Sequence, residues 1–212
     1  MSRFLSFISV WLFTATCFGQ TACPPNIDFE LGNLSYWNFY IGTCCPINTP
    51  TSTAPVYNRH TLTSGTANDP YGGFPIVSPY GGNYSFRLGN DSIGAQGEKA
   101  RYYIHVPSGV SNYALIYRYA CVLQNPNHTP AQQPRYDVAC YDSITSASIS
   151  CNTFSYVASG SLPGFVQSTV DTSVRYKTWT TGMLNLSGYS GRTVIVDFAT
   201  GDCSLGGHFG YG

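Results

Sequence analysis

The chain has 212 residues, a formal net charge of zero and 9 % charged side chains, set against 43 % hydrophobic and 15 % aromatic residues. This balance excludes a basic groove for nucleic acid and an acidic field for cations, and it excludes disorder, since there is apolar material for one sizeable core. Seventeen tyrosines, 22 glycines and 13 prolines point to short strands separated by many turns.

Residues 1–19 read as an export signal. Arg3 supplies the positive start, Phe4 to Phe13 an apolar run, and Thr14-Ala15-Thr16 leads through Cys17-Phe18-Gly19 to Gln20. The run is too short and too interrupted by serine to span a bilayer. An alternative makes Cys17 an acylated lipoprotein cysteine, but Thr14 stands where a branched aliphatic residue or leucine is wanted. Residues 20–212 are expected to form one secreted domain.

Strand-like runs follow in order: Tyr36–Ile41, Tyr84–Leu88, Ala100–Val106, Tyr113–Leu123, Arg135–Tyr141, Thr153–Val157, Thr178–Leu186 and Thr193–Ala199. Gly, Pro, Asn and Asp clusters separate them. In the last run Val194, Val196 and Phe198 alternate with Thr193, Ile195 and Asp197. Leu115, Tyr117, Tyr119 and Cys121 likewise share one face of theirs. Period-two alternation with both faces semi-apolar suits packed antiparallel sheets. The fold class expected is all-β, an antiparallel β-sandwich of jelly-roll type. Residues 42–79, rich in Thr, Ser, Pro and Gly, are expected to be a long functional loop tethered by Cys44 and Cys45.

Removal of Cys17 would leave seven of the eight cysteines, an odd number. In an exported chain these favour disulfides over zinc, because no Cys-x-x-Cys pair occurs. Cys140 and Cys151, across an expected hairpin, are the pair assigned first.

Further phrases carry a family resemblance. Asn26-Ile27-Asp28-Phe29-Glu30-Leu31-Gly32, ahead of Trp37, resembles the opening of carbohydrate-binding-type jelly rolls. Arg59-His60, Gly73-Phe74-Pro75, Leu88-Gly89-Asn90, Pro126-Asn127-His128, Gln133-Pro134-Arg135, Leu162-Pro163-Gly164-Phe165 and Tyr176-Lys177-Thr178-Trp179 continue it, and the segment Asp202 to Tyr211 completes it. Together they resemble the N-terminal module of large secreted Bacteroidota surface proteins. Such proteins carry PKD-type repeats and a C-terminal gliding-motility or type IX sorting domain, so further domains of the same polypeptide are expected. In that family the chain continues past the Gly-His-Phe-Gly-Tyr phrase into a closing strand with an aspartate. Here it stops at Gly212, so a sandwich cut within its final strand is expected, with an open edge. The resemblance also implies a structural calcium held by Asp28 and Glu30; the alternative is a strand-start acid making turn hydrogen bonds.

His60, His128 and His208 lie in Gly/Pro/Asn-rich stretches, and a transition metal would need them to converge; loop hydrogen bonding is the competing role. No pair of the ten acids sits in a glycosidase phrase, and Ser159-Gly160-Ser161 is no nucleophile elbow. An enzyme is not expected. Exposed aromatics are the signal for binding: Tyr71 and Tyr80, in the glycine-rich loop, are the ligand-contact candidates. The expected function is glycan binding or cell-surface adhesion without catalysis, with no nucleic acid and no membrane span. The alternatives are a spacer domain without ligand and a glycoside-hydrolase-associated fragment.

Overall fold

The computed structural model describes residues 23–149 and 153–212. The signal segment, Cys17 and Cys151 lie outside the described residues, so the Cys140–Cys151 assignment has only one visible member. Among the described residues there is no helix. The strands are β1 (Asn38–Thr43), β2 (Asn48–Thr53), β3 (His60–Ser64), β4 (Tyr84–Leu88), β5 (Gln96–His105), β6 (Ala114–Gln124), β7 (Arg135–Asp142), β8 (Phe154–Val157), β9 (Val166–Gln167), β10 (Val174–Asn185), β11 (Thr193–Gly201) and β12 (Gly210–Tyr211).

Six strands form a sheet in the order β2-β1-β5-β11-β7-β8, four form a second in the order β12-β6-β10-β9, and β3-β4 is a hairpin. Every pairing between these strands is antiparallel. From β5 onward the chain crosses repeatedly from one sheet to the other, which is how a jelly roll is wound. β12 joins the hairpin to the smaller sheet. Gly210 and Tyr211 pair with Leu123 and Val122, Tyr211 bridges to Gly89, and Gly212 exchanges two backbone hydrogen bonds with Leu88.

The core follows the alternation. Tyr102, Ile104, Val194, Val196 and Cys140 of the larger sheet meet Leu184 of the smaller and Leu186 just beyond its strand. Tyr119, Cys121 and Leu123 meet Tyr136 and Val138. The opposite phase of the same strands points outward, which is why Asp197 sits between buried Val196 and the packed Phe198 yet reaches Arg101 on the outer face.

Residues 42–79 are not one long loop, because β2 and β3 lie within them. Both strands are short and rich in Thr and Ser, so the apolar alternation that marks a strand is missing. The expected tether is also different. Cys44 and Cys45 are disulfide-bonded to each other and therefore fasten no distant segment. The segment is held by backbone contacts instead: Cys44 N–H donates to Ala95 O at 3.0 Å. A Cβ on Gly201 would come within 2.5 Å of Cys44 Sγ, so the central strand can pass the bridge only as glycine.

His60, expected in a loop, begins β3 and is 4 % exposed. It stacks near Phe39 and Phe86, and its Nδ1 accepts the Val56 N–H at 3.2 Å. Burial, then the adjacent Arg59 charge, lowers its pKa to about 4. A depressed histidine is neutral in the fold while the unfolded chain takes up a proton, so its stabilising effect is complete above pH ~6.5. That effect is lost as pH falls through about 4. Urea midpoints should therefore rise with pH across this window, and the difference between wild type and His60→Asn should shrink toward acid. A difference independent of pH would rule this account out.

Candidate functional site

The outer face of the larger sheet gathers the second set of alternating residues. Register places Tyr40 opposite Lys99, Arg101 opposite Asp197, and Tyr103 and Tyr141 on either side of Ile195. Arg101 grips Asp197 with a fork, Nε to Oδ1 at 2.6 Å and Nη2 to Oδ2 at 2.7 Å, and Lys99 Nζ adds a contact at 3.8 Å. The Tyr40 ring lies 4.6 Å from Lys99 Nζ and 5.3 Å from the Arg101 guanidinium carbon. Burial, with smaller effects from Tyr103 and Asp197, raises the Tyr40 pKa, so its phenol keeps its proton at neutral pH. Tyr103 is 45 % exposed. Fixed aromatic faces beside a desolvated charged fork can stack on a ring and direct hydrogen bonds at its hydroxyls.

A second feature is a groove of about 400 Å³, between β4 and β6, with Trp37, Ala100 and Phe198 at its base. Among the described residues, no strand lies beside β6 from Ala114 to Cys121 on the side away from β10. The same is true of Tyr84–Phe86 on the side away from β3. Arg118 borders the groove. Its guanidinium lies 4.8 Å over the Tyr80 ring, and its Nε and Nη1 are buried with no acceptor.

The expected site residues are dispersed. Tyr80 is 64 % exposed, whereas Tyr71 packs against Phe209 with ring centres 5.1 Å apart and adds to an apolar cluster. The two do not form one surface. Asp28 and Glu30 both line the groove, but their carboxylates are occupied differently. Asp28 Oδ1 accepts the Glu30 N–H at 3.2 Å. The Glu30 carboxylate accepts from Asn83 N, Asn83 Nδ2 and Tyr84 N at 2.9 to 3.1 Å. The Asn83 backbone hydrogen bond is the largest cause lowering its pKa. Donors around Glu30 clamp the opening segment to the start of β4, 53 and 54 residues away, whereas the Asp28–Glu30 bond is a local turn contact.

Of the three histidines, His128 and His208 do converge, with ring centres 5.3 Å apart. The third group beside them is Cys203, not His60, and the three ligating atoms lie within 4.8 Å of one another. Of the outer-face tyrosines, Tyr40 belongs to the aromatics that the sequence offers for stacking, whereas Tyr103 is marked only by its phase opposite Tyr102 and Ile104.

No family model and no curated protein sequence matches this chain. Among solved structures it is similar in outline to the module TmCBM61 in complex with beta-1,4-galactotriose, with TM-score 0.42, 11 % identity, and 89 % of this chain and 91 % of that one covered. It is also similar to a family 11 carbohydrate-binding module from Clostridium thermocellum in complex with a beta-1,3-1,4-mixed-linked tetrasaccharide, with TM-score 0.32, 9 % identity, and 86 % and 87 % covered. The enzymatically active domain of bacteriophage CBA120 tailspike protein 4 gives TM-score 0.37 and 11 % identity, covering 86 % of this chain and 19 % of that one. At these TM-scores the likenesses carry no inference about ligand or activity.

Proposed function

We propose that this chain is an exported, non-catalytic recognition module that binds glycans on the outer face of its larger sheet. The observation that carries the reading is the arrangement of Tyr40 and Tyr103 around the Arg101–Asp197 fork. Sugars present apolar ring faces edged by hydroxyls, and this surface offers flat rings beside fixed donors and acceptors. The signal-like residues 1–19 and the oxidised Cys44–Cys45 pair support an extracellular location. The resemblance of its phrases to secreted Bacteroidota surface proteins supports a place in a larger adhesive polypeptide. A non-catalytic role is supported by the employment of the acids. Asp197, Glu98 and Asp142 pair with arginines, and Glu30 and Asp202 accept backbone N–H groups.

Binding to a glycan array should fall about tenfold or more, ~1.4 kcal/mol, in Tyr103→Ala and in Tyr40→Ala. Tyr71→Ala and Tyr80→Ala should leave it near wild type. Absence of binding to any glycan, or equal loss in all four variants, would sink the proposal.

A second reading is favoured by the two facing unpaired edges of β4 and β6: the groove receives an extended strand by backbone pairing. It calls for a segment with apolar residues in alternation and an acid beside Arg118. Synthetic peptides of that pattern should protect β6 amides from hydrogen exchange, and unchanged exchange with every peptide would retire this reading.

A further inference from the structure

We propose that His128, Cys203 and His208 form a transition-metal site that takes zinc(II) through two imidazoles and one thiolate. The site is separate from the outer face and the groove. His128 lies in the connection between β6 and β7, while Cys203 and His208 lie in the turn between β11 and β12. These two loops are fastened to each other before any ion is considered. Ser204 N–H donates across to Gln132 O at 3.1 Å, and within its own turn Cys203 N–H donates to His208 O at 2.9 Å and Gly206 N–H to Cys203 O at 2.9 Å. Gln133, itself buried, donates from Nε2 to His128 O at 3.1 Å and to Asn125 Oδ1 at 3.0 Å.

The ligand set has the right chemistry and nearly the right size. Zinc binds thiolate at ~2.3 Å and imidazole nitrogen at ~2.0–2.1 Å, so tetrahedral ligand atoms stand roughly 3.3–3.7 Å apart. Cys203 Sγ and His208 Nδ1 are already 3.3 Å apart. All three atoms fall within 4.8 Å, so closing the set needs roughly an ångström of movement in loop side chains. An independent observation points the same way: His128 Nδ1 is buried and has no hydrogen-bond partner. A buried imidazole nitrogen without a partner is costly unless something occupies it. Three protein ligands leave a fourth position for water or an incoming group. On binding, the Cys203 proton leaves to solvent as the Sγ–metal bond forms, and both imidazoles bind through neutral nitrogen.

The test uses the reduced, metal-stripped protein titrated with cobalt(II) as a spectroscopic stand-in, followed by zinc(II). One equivalent of cobalt should produce a thiolate-to-metal charge-transfer band together with visible d–d bands, and zinc should bleach both. Cys203→Ser should abolish the charge-transfer band, and His208→Gln and His128→Gln should each weaken binding by roughly tenfold or more. Cys121→Ser should change neither. Because Cys203 is buried, near-ultraviolet circular dichroism checks its variant, and His128→Gln, in an accessible loop, gives the same reading without touching the core. Three results would overturn the proposal: no charge-transfer band from wild type, a band that survives Cys203→Ser, or Cys203 recovered in a disulfide from protein isolated without reductant.

Discussion

Replacing Asp197 with alanine is expected to lower the unfolding free energy by about 3 kcal/mol, read as a shifted urea midpoint at unchanged m. Asp197 stands on the central strand β11 and takes both prongs of the Arg101 guanidinium at 2.6 and 2.7 Å. The Asp197 side chain is about one-tenth exposed and that of Arg101 about one-fifth, so little water is available to replace the lost partner. Lys99, 3.8 Å away, would be left beside Arg101 with nothing between them. An arginine keeps its charge at ordinary pH whatever its neighbours, so Arg101 cannot escape by losing its proton. Asp197→Asn keeps one acceptor and should cost less than half as much. A change under about 0.5 kcal/mol in Asp197→Ala, the range of ordinary surface substitutions, would show that the fork contributes nothing net.

The second large effect is expected from Arg59→Ala, again about 3–5 kcal/mol. Arg59 Nε meets Glu98 Oε1 at 2.6 Å and Arg59 Nη2 donates to Gly97 O at 3.0 Å. Glu98 is 1 % exposed and otherwise has the Thr200 hydroxyl at 3.2 Å. Burial already raises the Glu98 pKa, with Arg59 opposing it. Without Arg59 the opposition goes and the folded state prefers the protonated acid. A carboxyl raised in the fold favours stability below its unfolded pKa and loses that contribution as pH climbs. The gap between wild type and Arg59→Ala should therefore widen from acid to neutral pH. A gap that is flat in pH would mean that Glu98 is not the group left exposed to the loss. Arg59→Lys keeps the charge without the two-pronged geometry and should recover part of the stability.

The longer strands were legible because apolar residues recur along them at every second position. Tyr84–Leu88, in the hairpin, is found where the residues placed it, and of the two alternating phases of β11 the one with Val194, Val196 and Phe198 faces the core. β2 and β3 were not legible. Asn48–Thr53 has no apolar residue to show a buried face, and β3 packs through His60, whose polar ring hides its core position. β12 is only two residues long, and its place depends on edges contributed by β4 and β6, which no local pattern reveals. The histidines were visible as candidates, but Cys203, whose Sγ lies close to the His128 and His208 nitrogens, is on a different loop from His128. Only the tertiary fold could select it over His60. Tyr71 and Tyr80 looked equivalent as tyrosines in a glycine-rich stretch, yet Phe209 covers one and solvent reaches the other.

The position of β11 has a consequence in time. It is the strand between β5 and β7, and its pairing partners in β5 lie far back in the chain, with Arg101 and Asp197 separated by 96 residues. Non-local pairings of this span must close long loops before they yield any stabilisation, which slows folding. As the polypeptide emerges during synthesis, β5 and β7 are both present while the slot between them is empty. Their facing edges then offer unpaired backbone to any neighbouring chain until residues 193–201 arrive. Misassembly should therefore be decided by how quickly residues 193–201 follow the strands before them, and truncations that remove β11 should aggregate rather than persist as a smaller domain.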